Sequence, residues 1–189
     1  MTAEGLLIER NHDVGVYLGG GHLSLDGAVI RDTFMEPSNG RGGRGLNLQA
    51  SPAVDVGGTA RIERTVLERN HEAGVYVEAA DVGLASLLVR DTLPSGPRGF
   101  GRGLSVVGSA QSASPTSVEM VGSTVARSRD AGVFIDGASA QLLGVAVVET
   151  MPNASGTFGR GIQAQSEVDE LRAEVQLRGS VVEESFEAG

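Results

Sequence analysis

A glycine returns at nearly constant intervals along the whole chain of 189 residues. The successive spacings are 30, 29, 29, 29, 29 and 28 residues, between Gly15, Gly45, Gly74, Gly103, Gly132, Gly161 and Gly189. A short stretch with apolar residues at alternate positions follows each of the first six, from GVYL at 15–18 to GIQA at 161–164. A fixed period of this length predicts a solenoid, in which each repeat forms one coil stacked on the previous one.

Two kinds of coil alternate within this period, so that the larger repeat is about 58 residues long. Type A coils carry ERNHDVGVYL at 9–18 and ERNHEAGVYV at 68–77, and type B coils carry GRGL at 43–46 and 101–104 and GRGI at 159–162. We predict one domain over 1–189, with repeats at 6–64, 65–122 and 123–179 and the start of a fourth at 180–189. Because neither end shows a recognisable capping segment, we expect the chain to be a piece of a longer repeat protein.

Each coil is predicted to contain three short strands whose inward residues alternate with outward ones. Parallel strands from successive coils then stack about 4.8 Å apart. The sequence therefore predicts an all-β fold, a single-stranded parallel β-helix of about six coils with three parallel sheets. Crossover connections between parallel strands favour the right-handed form. The inward columns begin with Val16 and Leu18 in the first strand, Leu25 in the second and Ile30 in the third, and recur in every coil.

Composition and charge exclude several classes of partner. The chain has 24 acidic and 15 basic residues, all of the latter arginine, and its net charge of −9 argues against nucleic acid as a partner. The absence of cysteine excludes thiolate metal sites and disulfides. No apolar run reaches the ~20 residues that a membrane-spanning helix needs, so we expect no membrane insertion.

Runs of the form V-V-x-x-T/N-x-x-x-G-V-x-V resemble the right-handed parallel β-helix repeats of pectate-lyase-like proteins. The pairing of RDT…GRGL with ERN…GVYV is more narrowly similar to repetitive β-helix proteins of the myxobacterial cell surface. The resemblance covers the whole chain and implies a secreted or cell-surface location. It specifies the fold well and the activity poorly, because many functions share this scaffold.

Two columns of charged residues alternate in sign between successive coils, except at the last step of the first column, from Glu149 to Glu184. Opposite charges about 5 Å apart attract each other, so this alternation accounts for the two-coil repeat and we interpret it as structural. The alternative is that arginine and carboxylate together grip an acidic sugar or act in lyase chemistry. The first column comprises Arg10, Asp32, Arg69, Asp91, Arg127, Glu149 and Glu184, and the second comprises Asp13, Glu72 and Asp130 next to Arg44, Arg102 and Arg160.

An outward aromatic stripe is the most specific candidate for ligand binding. Tyr17, Tyr76 and Phe134 recur every two coils, about 10 Å apart, where their rings could stack on sugars. The alternative is that they are simply good strand residues. The candidate ligand-binding residues are Tyr17, Tyr76, Phe134, Asn47, Gln163, Arg44, Arg102 and Arg160.

Metal and cofactor chemistry find no support in the sequence. His12 and His71 lie two coils apart, too far for one zinc ion, and Arg129 replaces them in the third repeat. The Pro- and Gly-containing loops at 34–43, 93–101 and 151–159 are turns stacked on one corner, where solenoids often place binding surfaces. We therefore expect no metal and no cofactor.

Three functions remain open at this stage. The first is a non-catalytic segment that acts as a structural or adhesion spacer of a surface or secreted protein. The second is a carbohydrate-binding module that uses the aromatic stripe on a polysaccharide, and the third is a polysaccharide lyase or hydrolase. Uncovered terminal coils would also allow end-to-end self-association.

Overall fold

The computed structural model describes residues 1–97, 99–166 and 171–187, and it confirms the predicted all-β solenoid. Strands numbered β1 to β20 along the chain form three sheets in which every pairing is parallel, and each sheet takes every third strand. Gly189, where the seventh coil was predicted to begin, lies outside the described residues. The handedness of the coil stays a prediction.

The strand bounds show three short strands in each coil. Sheet 1 contains β3 (Val14–Gly19), β6 (Arg44–Gln49), β9 (Glu72–Glu78), β12 (Gly101–Val107), β15 (Ala131–Asp136) and β18 (Arg160–Gln165). Sheet 2 contains β1 (Thr2–Glu4), β4 (Gly21–Asp26), β7 (Gly58–Glu63), β10 (Ala80–Ala85), β13 (Ser117–Val121), β16 (Ser139–Leu143) and β19 (Glu174–Arg178). Sheet 3 contains β2 (Leu7–Glu9), β5 (Val29–Arg31), β8 (Val66–Glu68), β11 (Leu88–Arg90), β14 (Thr124–Ala126), β17 (Ala146–Val148) and β20 (Val181–Glu183).

The inward columns pack into one continuous core along the axis. Leu46 pairs with Val16 on one side and with Val75 on the other, as predicted. Ile30 and Leu84 belong to the same buried cluster and are at most 1% exposed. Each buried side chain of this size contributes about 1.5–3 kcal/mol. The prediction holds through the middle coils and weakens in the last strand of sheet 2, where Leu177 is 51% exposed.

The repeated glycines are required by close contact between coils. A Cβ atom on Gly45 would lie 2.7 Å from the carbonyl oxygen of Gly74, and one on Gly74 would lie 2.7 Å from that of Gly103. Neither glycine has a positive φ. Glycine therefore recurs at this position because the backbone of the next coil leaves no room for a Cβ atom.

The corner after sheet 3 is built from charged residues in the left-handed conformation. Arg69, Asp91 and Arg127 have φ angles of 52°, 56° and 52°. Residues other than glycine adopt this region at a cost of about 1–3 kcal/mol each. The sequence identified this column as a charge ladder, but its backbone conformation was not foreseen because these positions carry no glycine.

A buried polar column runs inside the same corner. Asn70 accepts a hydrogen bond from the Thr33 amide at 3.1 Å and donates one to the Ile30 carbonyl at 3.0 Å. Ser128 occupies the same position one repeat later, and its buried hydroxyl has no partner among the described residues. Only the asparagine is long enough to bridge to the preceding coil in this way.

Long loops occur in two sets, of which the sequence revealed one. The expected set follows strands β5, β11 and β17, and a second set occupies 50–57 and 108–116 between sheet 1 and sheet 2. The second set was missed because a long connection on one side of a type B coil is offset by a short turn on the other. The 29-residue period therefore hides it. Together the two sets flank the type B strands of sheet 1 at both ends.

Candidate functional site

The candidate site is the outer face of sheet 1, which lies between the two sets of loops. Tyr17 pairs in register with Asn47, and Asn47 pairs with Tyr76, so the outward column has the predicted order. Phe134 continues it through Ser105, and Gln163 pairs with Phe134. All eight predicted binding residues lie on this face, because they project from its strands on the side away from the core.

Outward direction does not make these side chains accessible. Tyr17 is 51% exposed, whereas Phe134 is only 4% exposed and Asn47 only 7%. Tyr76 is intermediate between them. The face is covered by loops and by long side chains from neighbouring coils. Tyr17 is therefore the member of the predicted stripe whose ring is most available to a ligand.

Arginine side chains cover the aromatic rings. The guanidinium carbon of Arg44 lies 3.8 Å from the ring centroid of Tyr76, and that of Arg102 lies 3.4 Å from the centroid of Phe134. In both cases the arginine of a type B coil stacks on the aromatic residue of the following type A coil. These distances are those of cation–π contacts. A sugar ring could stack on the covered face of either aromatic residue only after the arginine moved away.

The same arginines form ion pairs with the following coil. Arg44 donates from Nε to Glu72 Oε1 at 2.6 Å, and Arg102 donates from Nε to Asp130 Oδ2 at 3.1 Å. Arg160 Nε lies 3.4 Å from a carboxylate oxygen of Glu187. The predicted second charge column is thus present, and each arginine pairs with the acid one coil further along. Arg44 and Arg102 are thus each fixed in place by a ring on one face and by a carboxylate at the Nε edge.

Burial shifts the pKa of two groups at this site. Desolvation lowers the pKa of Arg102 below its usual value, although the Asp130 carboxylate opposes this shift. Burial also raises the pKa of Tyr76, and the nearby carboxylate of Glu78 adds to that increase. The Tyr76 hydroxyl donates a hydrogen bond to Glu78 Oε2 at 2.9 Å. Tyr76 is therefore held as a neutral phenol by its surroundings.

The predicted amides are bonded to their own face. Asn47 Oδ1 accepts a hydrogen bond from Arg44 at 3.4 Å. Gln163 donates to Gln165 at 2.6 Å, and Gln165 in turn donates to Asp136 at 3.1 Å. The first two of these bonds lie within one strand, and the bond from Gln165 to Asp136 joins β18 to β15.

Two clefts share the centre of the face. A cleft of about 360 Å³ is lined by Tyr76, Phe100, Arg102 and Phe134 among others. A neighbouring cleft of about 490 Å³ is lined by Tyr17, Arg41 and Asn47 among others. Arg44 and Glu72 line both clefts and separate them. Phe100 and Arg41 belong to the loops and were not among the predicted residues, because nothing in the sequence shows how far a loop folds over a sheet.

The residues of the first charge column pair with one another at the corner after sheet 3. Arg69 Nε lies 2.7 Å from Asp32, and Arg127 Nε lies 2.6 Å from Asp91. A parallel column that the sequence analysis missed places Glu9, Arg31, Glu68 and Arg90 beside it with opposite signs. The two columns together form a checkerboard of alternating charge. The sequence contains this second column in the alternation of ERN and RDT, but the sequence analysis interpreted that alternation as one charged column rather than two.

The histidines take part in structural contacts. His12 and His71 lie on either side of Phe34, with ring centroids 5.6 Å and 5.9 Å away. The Nδ1 atom of His71 is 3.0 Å from the Thr33 carbonyl oxygen. Within the described part of the chain, no group of three or more metal-binding side chains could hold an ion.

No family model, no curated protein and no solved structure matches the chain. The function must therefore be inferred from the geometry described above. Among the described residues, no helix is long and apolar enough to span a bilayer.

Proposed function

We propose that the chain is a rigid, non-catalytic β-helix segment that serves as a structural or adhesion spacer. The observation that carries this proposal is that the charged groups on its outer faces pair with neighbouring coils. Arg69 with Asp32, Arg127 with Asp91 and Arg102 with Asp130 are examples from two different faces. Such contacts run along the axis and resist bending and unwinding of the solenoid.

Repetition supports the same proposal. An enzyme needs one distinctive group of residues, whereas the arginine–aromatic stack occurs at both Arg44 and Arg102. A surface or secreted location and kinship with pectate-lyase-like or myxobacterial surface β-helix proteins are parts of this proposal that rest on the sequence resemblance. End-to-end association of coils is a further part, and it rests on the open strand edges of terminal coils.

Rigidity can be tested by distance measurements between spin labels. Thr2 and Gln176 occupy the same outward column of sheet 2, six strand spacings apart, or about 29 Å. The chain has no cysteine, so a double-cysteine variant at these positions can be labelled cleanly. A single narrow distance distribution is expected, unchanged by added polysaccharide. A broad or bimodal distribution would contradict the spacer role.

Carbohydrate binding is a second candidate, and one observation favours it. Tyr17 is half exposed beside a cleft that also contains Arg41 and Asn47, the combination of ring face and polar groups that suits a sugar. The test is a glycan-array screen at low and moderate salt with Tyr17→Ala and Tyr76→Ala variants. Binding lost in Tyr17→Ala but kept in Tyr76→Ala would establish this candidate. If no glycan on the array binds, the carbohydrate-binding candidate is excluded and the spacer role is retained.

The lyase or hydrolase hypothesis predicts turnover. Any array hit would therefore be incubated with the protein and its reducing ends counted over time. A steady rise, absent from an Arg102→Gln variant, would replace both proposals above with an enzyme.

A further inference from the structure

The first of the three repeats differs from the other two in the rings that surround the arginine of its type B strand in sheet 1. In the second repeat the guanidinium carbon of Arg102 lies 4.0 Å from the ring of Phe100, in addition to its contact with Phe134. In the third repeat Arg160 lies 4.7 Å from the ring of Phe158. Phe100 and Phe158 both come from the loop two residues before the arginine. In these repeats a loop phenylalanine therefore covers the arginine.

The first repeat lacks this cover. The position equivalent to Phe100 and Phe158 is Gly42, and the residue before it is Arg41 where the other repeats have Gly99 and Thr157. In the described part of the chain, Tyr76 is the ring that stacks on Arg44, and no loop ring does so. The first repeat thus has a glycine where the others have a phenylalanine, with an arginine directly before it.

The 490 Å³ cleft lies beside Arg44 at this place, and Asp13 is the residue that a Cβ atom on Gly42 would meet. Arg41, Gly42 and Arg44 line this cleft together with Tyr17. The Glu72 carboxylate that also lines it is already engaged, because it accepts hydrogen bonds from Arg44 and from the Gly42 amide, the latter at 2.9 Å. Arg41 is exposed on the loop beside the cleft.

We propose that this cleft binds an aromatic ring that carries a carboxylate. The ring takes the place that Phe100 occupies in the next repeat, against the guanidinium of Arg44. Its carboxylate pairs with Arg41, whose aligned positions in the other repeats hold Gly99 and Thr157. A guanidinium attracts the face of an aromatic ring, and more strongly when the contact excludes water. This proposal does not depend on the spacer role, and it places a different ligand in the cleft that the carbohydrate candidate would use.

The test is an NMR titration of the ¹⁵N-labelled protein with 2-naphthoate. Saturable shifts at the Gly42 and Gly43 amides are expected, with a stoichiometry of one. Cyclohexanecarboxylate, which has the charge without the ring face, should bind at least about fivefold more weakly. The neutral alcohol 2-naphthalenemethanol should also bind more weakly, because Arg41 then has no partner. Equal affinity for all three, or no saturation, would overturn the proposal.

Matched variants distinguish binding at this site from nonspecific binding. Arg44→Gln should abolish the shifts, whereas Arg102→Gln, whose arginine is covered on both sides, should leave them unchanged. Asp13→Asn should tighten binding, since this carboxylate lines the cleft and repels an anion. If Arg44→Gln fails to fold, the double variant Gly99→Arg/Phe100→Ala gives an independent answer. It opens the equivalent space over Arg102, supplies the cation that Arg41 provides in the first repeat and should raise the stoichiometry to two; a value of one would count against the role of the missing ring.

Discussion

Replacing Gly103 by alanine tests whether close contact between coils explains the glycine period. Gly103 has no positive φ, so the backbone itself would accept alanine. The new Cβ atom, however, would lie 2.7 Å from the Gly132 carbonyl oxygen and 2.7 Å from Ser128 Oγ. Ordinary contacts of a Cβ atom begin at 3.4 Å, so the two coils would have to separate by several tenths of an ångström.

The expected loss of stability follows from two opposing effects. Overpacking costs about 1–3 kcal/mol, and the upper end applies because one obstacle is backbone that cannot rotate away. Alanine also restricts the unfolded chain, which returns about 0.4–1 kcal/mol. The net loss is about 2 kcal/mol, or a fall in melting temperature of roughly 4–8 °C for a chain of this length.

Gly83 provides the matched control. It also lies within a strand without a positive φ, but the nearest atom to its added Cβ would be the Ala60 carbonyl oxygen at 4.0 Å. Gly83→Ala should therefore raise stability by about 0.4–1 kcal/mol. Both variants would be compared by urea unfolding followed by circular dichroism. If Gly103→Ala were as stable as Gly83→Ala, close contact between coils would not be the reason for the repeated glycine.

Three further predictions concern other parts of the solenoid. Ser128→Asn should raise the free energy of unfolding by about 1 kcal/mol in urea titrations, because it restores the two bonds to the preceding coil that the asparagine of the earlier repeat makes; an unchanged midpoint would contradict this. The hydrogen bond from Arg127 holds the pKa of Asp91 below its usual value, so its contribution to stability is present above pH 4 and is lost as the pH falls further. Asp91→Asn should accordingly flatten the stability profile below about pH 4, and an unaltered profile would refute the linkage. Phe134→Ala should cost about 3–5 kcal/mol, as for other buried phenylalanines, whereas Tyr17→Ala, half exposed, should cost under about 1 kcal/mol; equal losses in thermal melts would show that burial of the outward column is not significant.

The sequence by itself determined the solenoid and the registration of its coils. Strands of a parallel stack pair residue by residue, so identical positions in successive repeats become direct neighbours. Leu46 therefore contacts Val16 and Val75, and Arg69 contacts Asp32, as their positions in the repeat predicted. The alternation of strand residues also fixed which side chains point into the core.

Only the tertiary structure decided which of the outward side chains are accessible to solvent. Alternation gives the direction of a side chain but not what lies above it, and that depends on how loops and long arginines fold back. Phe134 points outward and is nonetheless buried beneath Arg102, whereas Tyr17 in the same column remains open. The gap over Arg44 arises in the same way, from a loop glycine two positions away. The loops at 34–43, 93–101 and 151–159 differ in sequence more than the strands do, and for this reason the repeat could predict the core but not the accessible surface.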